Sequence, residues 1–441
     1  MSTEPSLLDK RFKTVMKKDY VGVGAWHAKL SHHANSESVL HKLGVGRMIC
    51  VRDIYTCVIA SILCNGIVID NKGTMRIKKL IHVSIELALD GGGAALFSRL
   101  LARSMADYCA ERGLEFEVLH LGRATDILTP IPVTHFYSYQ LALAAAVWYR
   151  AILGKSPILF DHIGPARSVG ILPSFLHPPY ALCMLGIEVW SKLTGQRRFA
   201  LEDADLRLSI SSYTERRARL TSPWIPDVKV LHLALEERPP CGSLDMVLLE
   251  KLGTDFILIV GRLSGIERYK GHDELLEAMP AILRQIPNAR LVIAGKGHDQ
   301  SRLEAKAKEL GITQQVIFTG FVSETTLEKL YERCSVFAMP SKNEGFGLVF
   351  LEAMKARKPA VALRDSSVAE IICDGETGLL VDEDVAQITA AIVYILSNPV
   401  LAQQMGEAAY IRWRKYFSFE SFKAKLSSYL DEWLENLCAY R

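Results

Sequence analysis

Phe256-Ile257-Leu258-Ile259-Val260-Gly261-Arg262-Leu263 opens with an apolar run of strand length, turns at a glycine and then presents a cation. A strand that is apolar at every position is buried on both faces. Comparable runs recur at Arg290 to Ala294, Val316 to Thr319, Val336 to Met339, Ala360 to Leu363 and Leu379 to Val381, with amphipathic helical stretches between them. Short buried strands alternating with helices specify a parallel sheet covered on both sides, the doubly wound arrangement.

Upstream the same grammar is looser. Leu80-Ile81-His82-Val83-Ser84-Ile85 reads as a strand, Asp90-Gly91-Gly92-Gly93 as a glycine turn, and Ala94 to Glu111 as a helix. Alternation continues through Glu117 to Leu121, Tyr139 to Leu153, Pro157 to Asp161 and Ser209 to Leu220, until Pro239-Pro240-Cys241-Gly242-Ser243 breaks it and serves as the linker. At 441 residues the chain exceeds one ordinary core. The expected division is a Rossmann-like domain over 80–238 and a second over 244–417, facing each other across a cleft. In the tail, Phe419, Phe422, Leu426, Leu430 and Trp433 recur at helical spacing, so 418–441 is expected to close back onto the first domain.

Residues 1–79 read differently, with basic clusters around an apolar stretch from Ile54 to Ile69 that Asn65-Gly66 interrupts. That stretch is shorter than the roughly 20 residues a spanning helix needs. A peripheral membrane anchor, a poorly ordered extension and an accessory lobe are all compatible with it. Elsewhere, hydrophobic residues at 49% and charged residues at 23% describe a globular enzyme, and a net charge of +3 gives no argument for nucleic-acid binding. The nine cysteines are scattered and never spaced Cys-x-x-Cys, and Met1 to Asp19 lacks the apolar run of an export signal. A cytoplasmic address is expected, with peripheral contact at the cytoplasmic membrane face left open.

The chemistry concentrates in Ser341-Lys342-Asn343-Glu344-Gly345-Phe346-Gly347-Leu348-Val349-Phe350-Leu351-Glu352-Ala353-Met354, which runs from a strand end into a helix. Eight residues are just over two helical turns, so Glu344 at the mouth and Glu352 deeper in can face one elongated ligand. Gly345 and Gly347 let backbone amides approach that ligand, and a helix N-terminus favours an anion. Without further context, a pair of glutamates at this spacing reads more readily as surface helix residues in ion pairs.

These residues resemble the family-four retaining glycosyltransferases, marked by a Glu-x7-Glu motif within Glu-Gly-Phe-Gly, and the chain also carries that family's Gly261-Arg262-Leu263 and Lys270-Gly271. The resemblance covers Ile81 to about Phe419 and implies the GT-B architecture. It implies that Glu352 holds the ribose hydroxyls of a nucleotide and Glu344 the transferred sugar. Arg262 and Lys270 would stabilise the charge that develops on the departing diphosphate, a clamp that replaces a metal. By the same resemblance Gly295, Phe321 and Val322 flank the base, Gly92 and Gly93 approach the phosphates, Phe346 joins Gly345 and Gly347 in the donor site, and His162 faces the donor sugar. A loop histidine satisfied by its neighbours is the plainer reading of His162. Tyr213 to Arg219 falls where relatives start an interface helix, with arginines expected to face solvent.

The implied reaction is retaining transfer of a hexose from a nucleoside-diphosphate sugar, a co-substrate, to a carbohydrate or lipid-linked acceptor in polysaccharide or glycolipid synthesis, with no cofactor or metal. Two departures bear on the pocket: relatives have Ala-x-Gly-x-Pro and a later Gly-Gly where this chain has Ala356-Arg357-Lys358-Pro359 and Ser366-Ser367. They keep open a catalytically silent subunit that only binds a sugar nucleotide or a partner enzyme. Glycogen-synthase-like and sucrose-phosphate-synthase-like transferases are rivals within the class, and the glutamate pair disfavours an epimerase.

Overall fold

The structure, a computed structural model, describes residues 67–69, 75–89, 91–123, 128–154, 156–236, 239–253 and 255–439. Most of the 1–79 segment, and Asp90 of the glycine turn, lie outside the described residues. Within that segment, Ile67–Ile69 (β1) pairs antiparallel with Met75–Ile77 (β2).

Two parallel sheets organise the rest. The first holds β3 (Lys79–Ser84), β4 (Glu115–His120), β5 (Val133–His135), β6 (Ile158–Phe160), β7 (Tyr180–Met184), β8 (Leu206–Ser209) and β9 (Lys229–Val230), in the order β5-β4-β3-β6-β7-β8-β9. The second holds β10 (Ile257–Val260), β11 (Leu291–Ala294), β12 (Val316–Gly320), β13 (Val336–Ala338), β14 (Ala360–Leu363) and β15 (Gly378–Val381), in the order β12-β11-β10-β13-β14-β15. All pairings within both sheets are parallel. Each sheet therefore winds outward in one direction, returns to its centre and winds outward in the other. The reversal falls between β3 and β6 in the first sheet and between β10 and β13 in the second. Loops leaving the carboxyl ends of those four strands diverge, and the crevice they leave is where a doubly wound sheet takes its ligand.

The helices that matter follow from these loops. α1 (Gly92–Arg112) leaves β3 and buries Phe97, Leu100, Leu101 and Met105. It stops at Gly113, whose φ of +65° takes the left-handed turn that ends a helix most easily at glycine. α2 (Ser212–Thr221) follows β8, capped by the Ser211 hydroxyl, which accepts from the Thr214 amide. α3 (His272–Gln285) follows β10, α4 (Glu324–Arg333) follows β12, and α5 (Leu348–Lys355) follows β13. α6 (Phe419–Ala439) buries Phe422, Leu426, Leu430 and Trp433, four of the five residues whose spacing marks it in the sequence. It lies against α1: Phe97 and Phe422 meet edge to face at 6.2 Å, the Tyr108 hydroxyl donates to Asp431 at 2.7 Å, and Lys423 pairs with Asp107 at 2.9 Å.

Arg357 shows how one departure is accommodated. It stands past the end of α5 with φ +58°, the left-handed conformation glycine adopts without penalty. Its guanidinium stacks on the Tyr410 ring at 3.8 Å and pairs with Glu407 at 3.1 Å, contacts that offset the backbone strain.

Candidate active site

Most residues singled out in the sequence follow the four switch-point strands, while Gly295 follows β11 and Phe321 and Val322 follow β12. Arg262 and Lys270 follow β10, Glu344 follows β13, Gly92 and Gly93 follow β3, and His162 follows β6. Lys270 ends a tight turn whose next residue, Gly271, has φ +89° and packs so closely on Pro340 that an added Cβ would stand 2.8 Å from the proline ring. The Lys342 amide donates to the Tyr269 carbonyl at 2.8 Å. The loop that carries Lys270 and the loop that carries Glu344 are thus joined by backbone before any side chain acts.

Across that seam Lys270 Nζ donates to Glu344 Oε1 at 2.8 Å, with both side chains 15% exposed. Burial opposes the lysine charge, but the Glu344 carboxylate outweighs it and raises the ammonium pKa, so Lys270 is cationic at neutral pH. Arg262 is 79% exposed and donates to Glu267. Burial raises the pKa of Tyr269, whose phenol also feels the charges of Lys270, Glu344, Glu267 and Arg262, so all four groups surround one tyrosine. Beside them, Arg262, Leu263, Ser264, Ile266, Glu267, Lys296, Gly297 and His298 line a groove of about 400 Å³. A second cavity, of about 310 Å³ between Asp205, Lys229 and α6, opens at the amino ends of β8 and β9, away from these groups.

The other domain supplies the opposite wall. Gly93, in the first turn of α1, sits so that an added Cβ would touch Leu348, the first residue of α5, at 3.4 Å. The amino ends of α1 and α5 therefore converge from opposite domains, and both present free amides and a positive dipole end. Gly345 lies beneath Leu185, its carbonyl accepting from the Ser211 hydroxyl at 2.9 Å. Glu370 accepts from the amides of Ser212 and Tyr213 at the start of α2 and meets His232 Nε2 at 3.0 Å. Burial works against that carboxylate, but the three hydrogen bonds win and hold its pKa below the usual range.

The other candidate residues fall in different settings. The Phe346 ring is 3% exposed and packs on His232 and Phe417, so its side chain belongs to the packing between domains and leaves only backbone to the groove. The Nδ1 atom of His162 accepts from the Gly164 amide at 2.9 Å, capping its own short helix, which is the plainer reading of that residue. Phe321 is 74% exposed with Lys296 over its ring at 5.0 Å, while Val322 packs against the core. Gly295 has φ +144°, and a Cβ there would stand 1.9 Å from the Gly261 carbonyl oxygen, so only glycine fits. The arginines of α2 are not simply solvated: Arg219 pairs with Glu215 and donates to the Pro226 carbonyl, and Arg217 lies over Trp190 at 5.3 Å.

Glu352 stands in the second turn of α5, partly buried, and its Oε2 accepts from the Tyr331 hydroxyl of α4 at 2.7 Å. Burial pushes its pKa up to about 7 despite that hydrogen bond. Tyr331 carries no signal in the sequence, because it meets its partner only through the fold, and Glu370 is legible only as the first residue of Glu370-Ile371-Ile372, the Glu-Ile-Ile that relatives carry after their Gly-Gly. Ser367 is legible solely as a departure, yet its hydroxyl donates to the carbonyls of Glu344 at 2.8 Å and Phe346 at 3.2 Å. The residue that replaces glycine here buttresses the glutamate turn.

Two doubly wound domains with opposed switch points define the GT-B architecture of glycosyltransferases. Residues 245–412 match the family model for glycosyl transferases group 1, and the second domain is a domain of that family. The resemblance read from Glu344, Glu352, Arg262 and Lys270 stands. A relative from Mycolicibacterium smegmatis, named as a GDP-mannose-dependent alpha-(1-6)-phosphatidylinositol monomannoside mannosyltransferase, is 34% identical over 240 residues, half of this chain and 61% of that protein. The chain thus spans under two thirds of this relative's length. A GDP-mannose-dependent monoacylated alpha-(1-6)-phosphatidylinositol monomannoside mannosyltransferase from Corynebacterium glutamicum is 27% identical over 73% of this chain and 85% of its own. Among solved structures, Anabaena HepE in complex with UDP superposes with a TM-score of 0.65 at 18% identity, over 81% of this chain and all of that one.

Proposed function

We propose that this chain transfers a hexose from a nucleoside-diphosphate sugar to a lipid-linked or carbohydrate acceptor, with retention and without a metal. The observation that carries the reading is the meeting, at the switch points of both sheets, of two helix amino ends with Lys270 and Glu344. Free amides and a fixed ammonium suit a diphosphate, and a carboxylate beside them suits sugar hydroxyls. The bond from the anomeric carbon to the diphosphate oxygen breaks as the acceptor oxygen bonds on the same face. The acceptor proton passes to a phosphate oxygen, and Lys270 and Arg262 take up the charge that develops. The names of the relatives above favour a mannosyl donor on guanosine and a glycolipid acceptor, and the HepE complex keeps uridine in contention.

A thermal-shift screen with GDP-mannose, UDP-glucose and ADP-glucose tests this directly. A donor at one hundred times its dissociation constant adds about 2.7 kcal/mol to stability, so one of the three should raise the Tm by several degrees. No shift with any would defeat the reading. Turnover of that donor is expected to persist in excess chelator, because cationic side chains do a metal's work here; a strict magnesium requirement would count against the proposal.

A further inference from the structure

Glu352 is held by a residue that the reaction itself does not need. Tyr331 is 2% exposed, its ring centroid stands 5.7 Å from that of Phe337, and Phe337 in turn meets Phe350 of α5 edge to face at 5.1 Å. The phenol of α4 is thereby locked against the helix that carries Glu352 and aimed at one carboxylate oxygen. A carboxylate has about four acceptor positions, so occupying Oε2 from behind leaves the group able to accept from a ligand in front.

We propose that Tyr331 is a positioning residue that orients Glu352 to accept the two vicinal ribose hydroxyls of the nucleotide sugar. This rests on the donor-site reading of Glu352 given above. A buried carboxyl without such a partner would keep its proton and offer a donor where a diol needs an acceptor. Burial is the largest influence on Glu352, and Glu324 and Glu328, which face it from α4, push in the same direction. The Tyr331 hydrogen bond and Lys355 of α5 work against them. Burial and the neighbouring carboxylate raise the pKa of the phenol far above the usual range, so it remains a hydrogen-bond donor throughout.

The sign of the pH dependence follows. Glu352 accepts from a diol best when ionised, so donor affinity should rise as pH increases through about 7. Removing the phenol deletes an influence that lowers the Glu352 pKa, so the midpoint should move to higher pH. The diphosphate of an intact nucleotide sugar does not titrate in this window, which makes GDP-mannose and UDP-glucose suitable probes.

The test measures dissociation constants and turnover across pH for the wild type, Tyr331→Phe and Glu352→Gln, with whichever of those two sugars the wild type binds. Tyr331→Phe keeps the ring packing and is expected to weaken binding about tenfold, the scale of one hydrogen bond to a charged group, with kcat nearly unchanged and the midpoint raised. Glu352→Gln is expected to abolish the pH dependence. If Tyr331→Phe lowers only the Tm and keeps the wild-type affinity and midpoint, the phenol is a structural contact and the inference fails. If Glu352→Gln itself binds like the wild type, the donor-site reading fails and takes the inference with it.

Discussion

Lys270→Ala should lower turnover by about two to three powers of ten, the scale measured when one charge-stabilising group is removed from an active site. The ammonium sits at the seam between the β10 and β13 loops, and that seam is closed by backbone contacts that alanine leaves intact: the Lys342 amide to the Tyr269 carbonyl, and Gly271 against Pro340. The substitution therefore removes a charge more than it removes a structure. Lys270 keeps that charge because Glu344 outweighs the burial that opposes it, so the lost group is a cation at any pH where the enzyme would be assayed. In the proposed reaction further charge builds on the diphosphate as the anomeric bond lengthens, so the loss should fall on kcat more than on donor affinity. Single-turnover rates with the donor identified by thermal shift provide the measurement. Wild-type turnover in Lys270→Ala would reduce the Lys270–Glu344 contact to an ion pair that merely ties two loops.

Much of this arrangement could be read from the chain because parallel strands buried on both faces leave continuous apolar runs. Phe256 to Val260, Ala360 to Leu363 and Leu379 to Val381 fall within one residue of β10, β14 and β15, since nothing but a strand accommodates such short apolar stretches between amphipathic helices. The placement of candidate groups that follow a strand end is equally legible. Arg262, Lys270 and Glu344 all lie within ten residues of β10 or β13, so local order placed them at the crevice.

What sequence hides is whatever depends on a partner far away in the chain. Tyr331 meets Glu352, Ser367 meets Glu344, and Glu370 meets the start of α2, each across an interval that no periodicity spans. Phe346 illustrates the converse. It stands within the motif, yet alternating directions in a tight turn send its ring into the packing between domains, against His232 and Phe417. Membership of a motif fixes the backbone more firmly than it fixes where each side chain points.

Gly345→Ala should lower turnover far more than it weakens donor binding. A methyl group at this position would stand 2.8 Å from the Leu185 carbonyl oxygen and 3.6 Å from Ile210 Cδ1, both in the other domain. Backbone oxygen cannot rotate aside as a long side chain can, so relief must come from moving the domains apart. The same displacement would stretch the hydrogen bond from the Ser211 hydroxyl to the Gly345 carbonyl, now 2.9 Å. Lys270 and Glu344, with the groove beside Arg262, belong to the second domain alone and should keep their geometry, so nucleotide affinity should fall only by what the Gly345 turn and the amino end of α1 contribute. In the proposed reaction the second domain holds the donor and the acceptor would approach from the first, where a misplacement of about 1 Å is enough to cost on the order of a hundredfold in rate. Ser211→Ala separates the two effects, because it deletes that hydrogen bond, together with the cap of α2, without adding a clash, and should cost far less turnover. Turnover in Gly345→Ala equal to that of the wild type would mean that the close approach of Gly345 to Leu185 is not the arrangement in which the sugar is transferred.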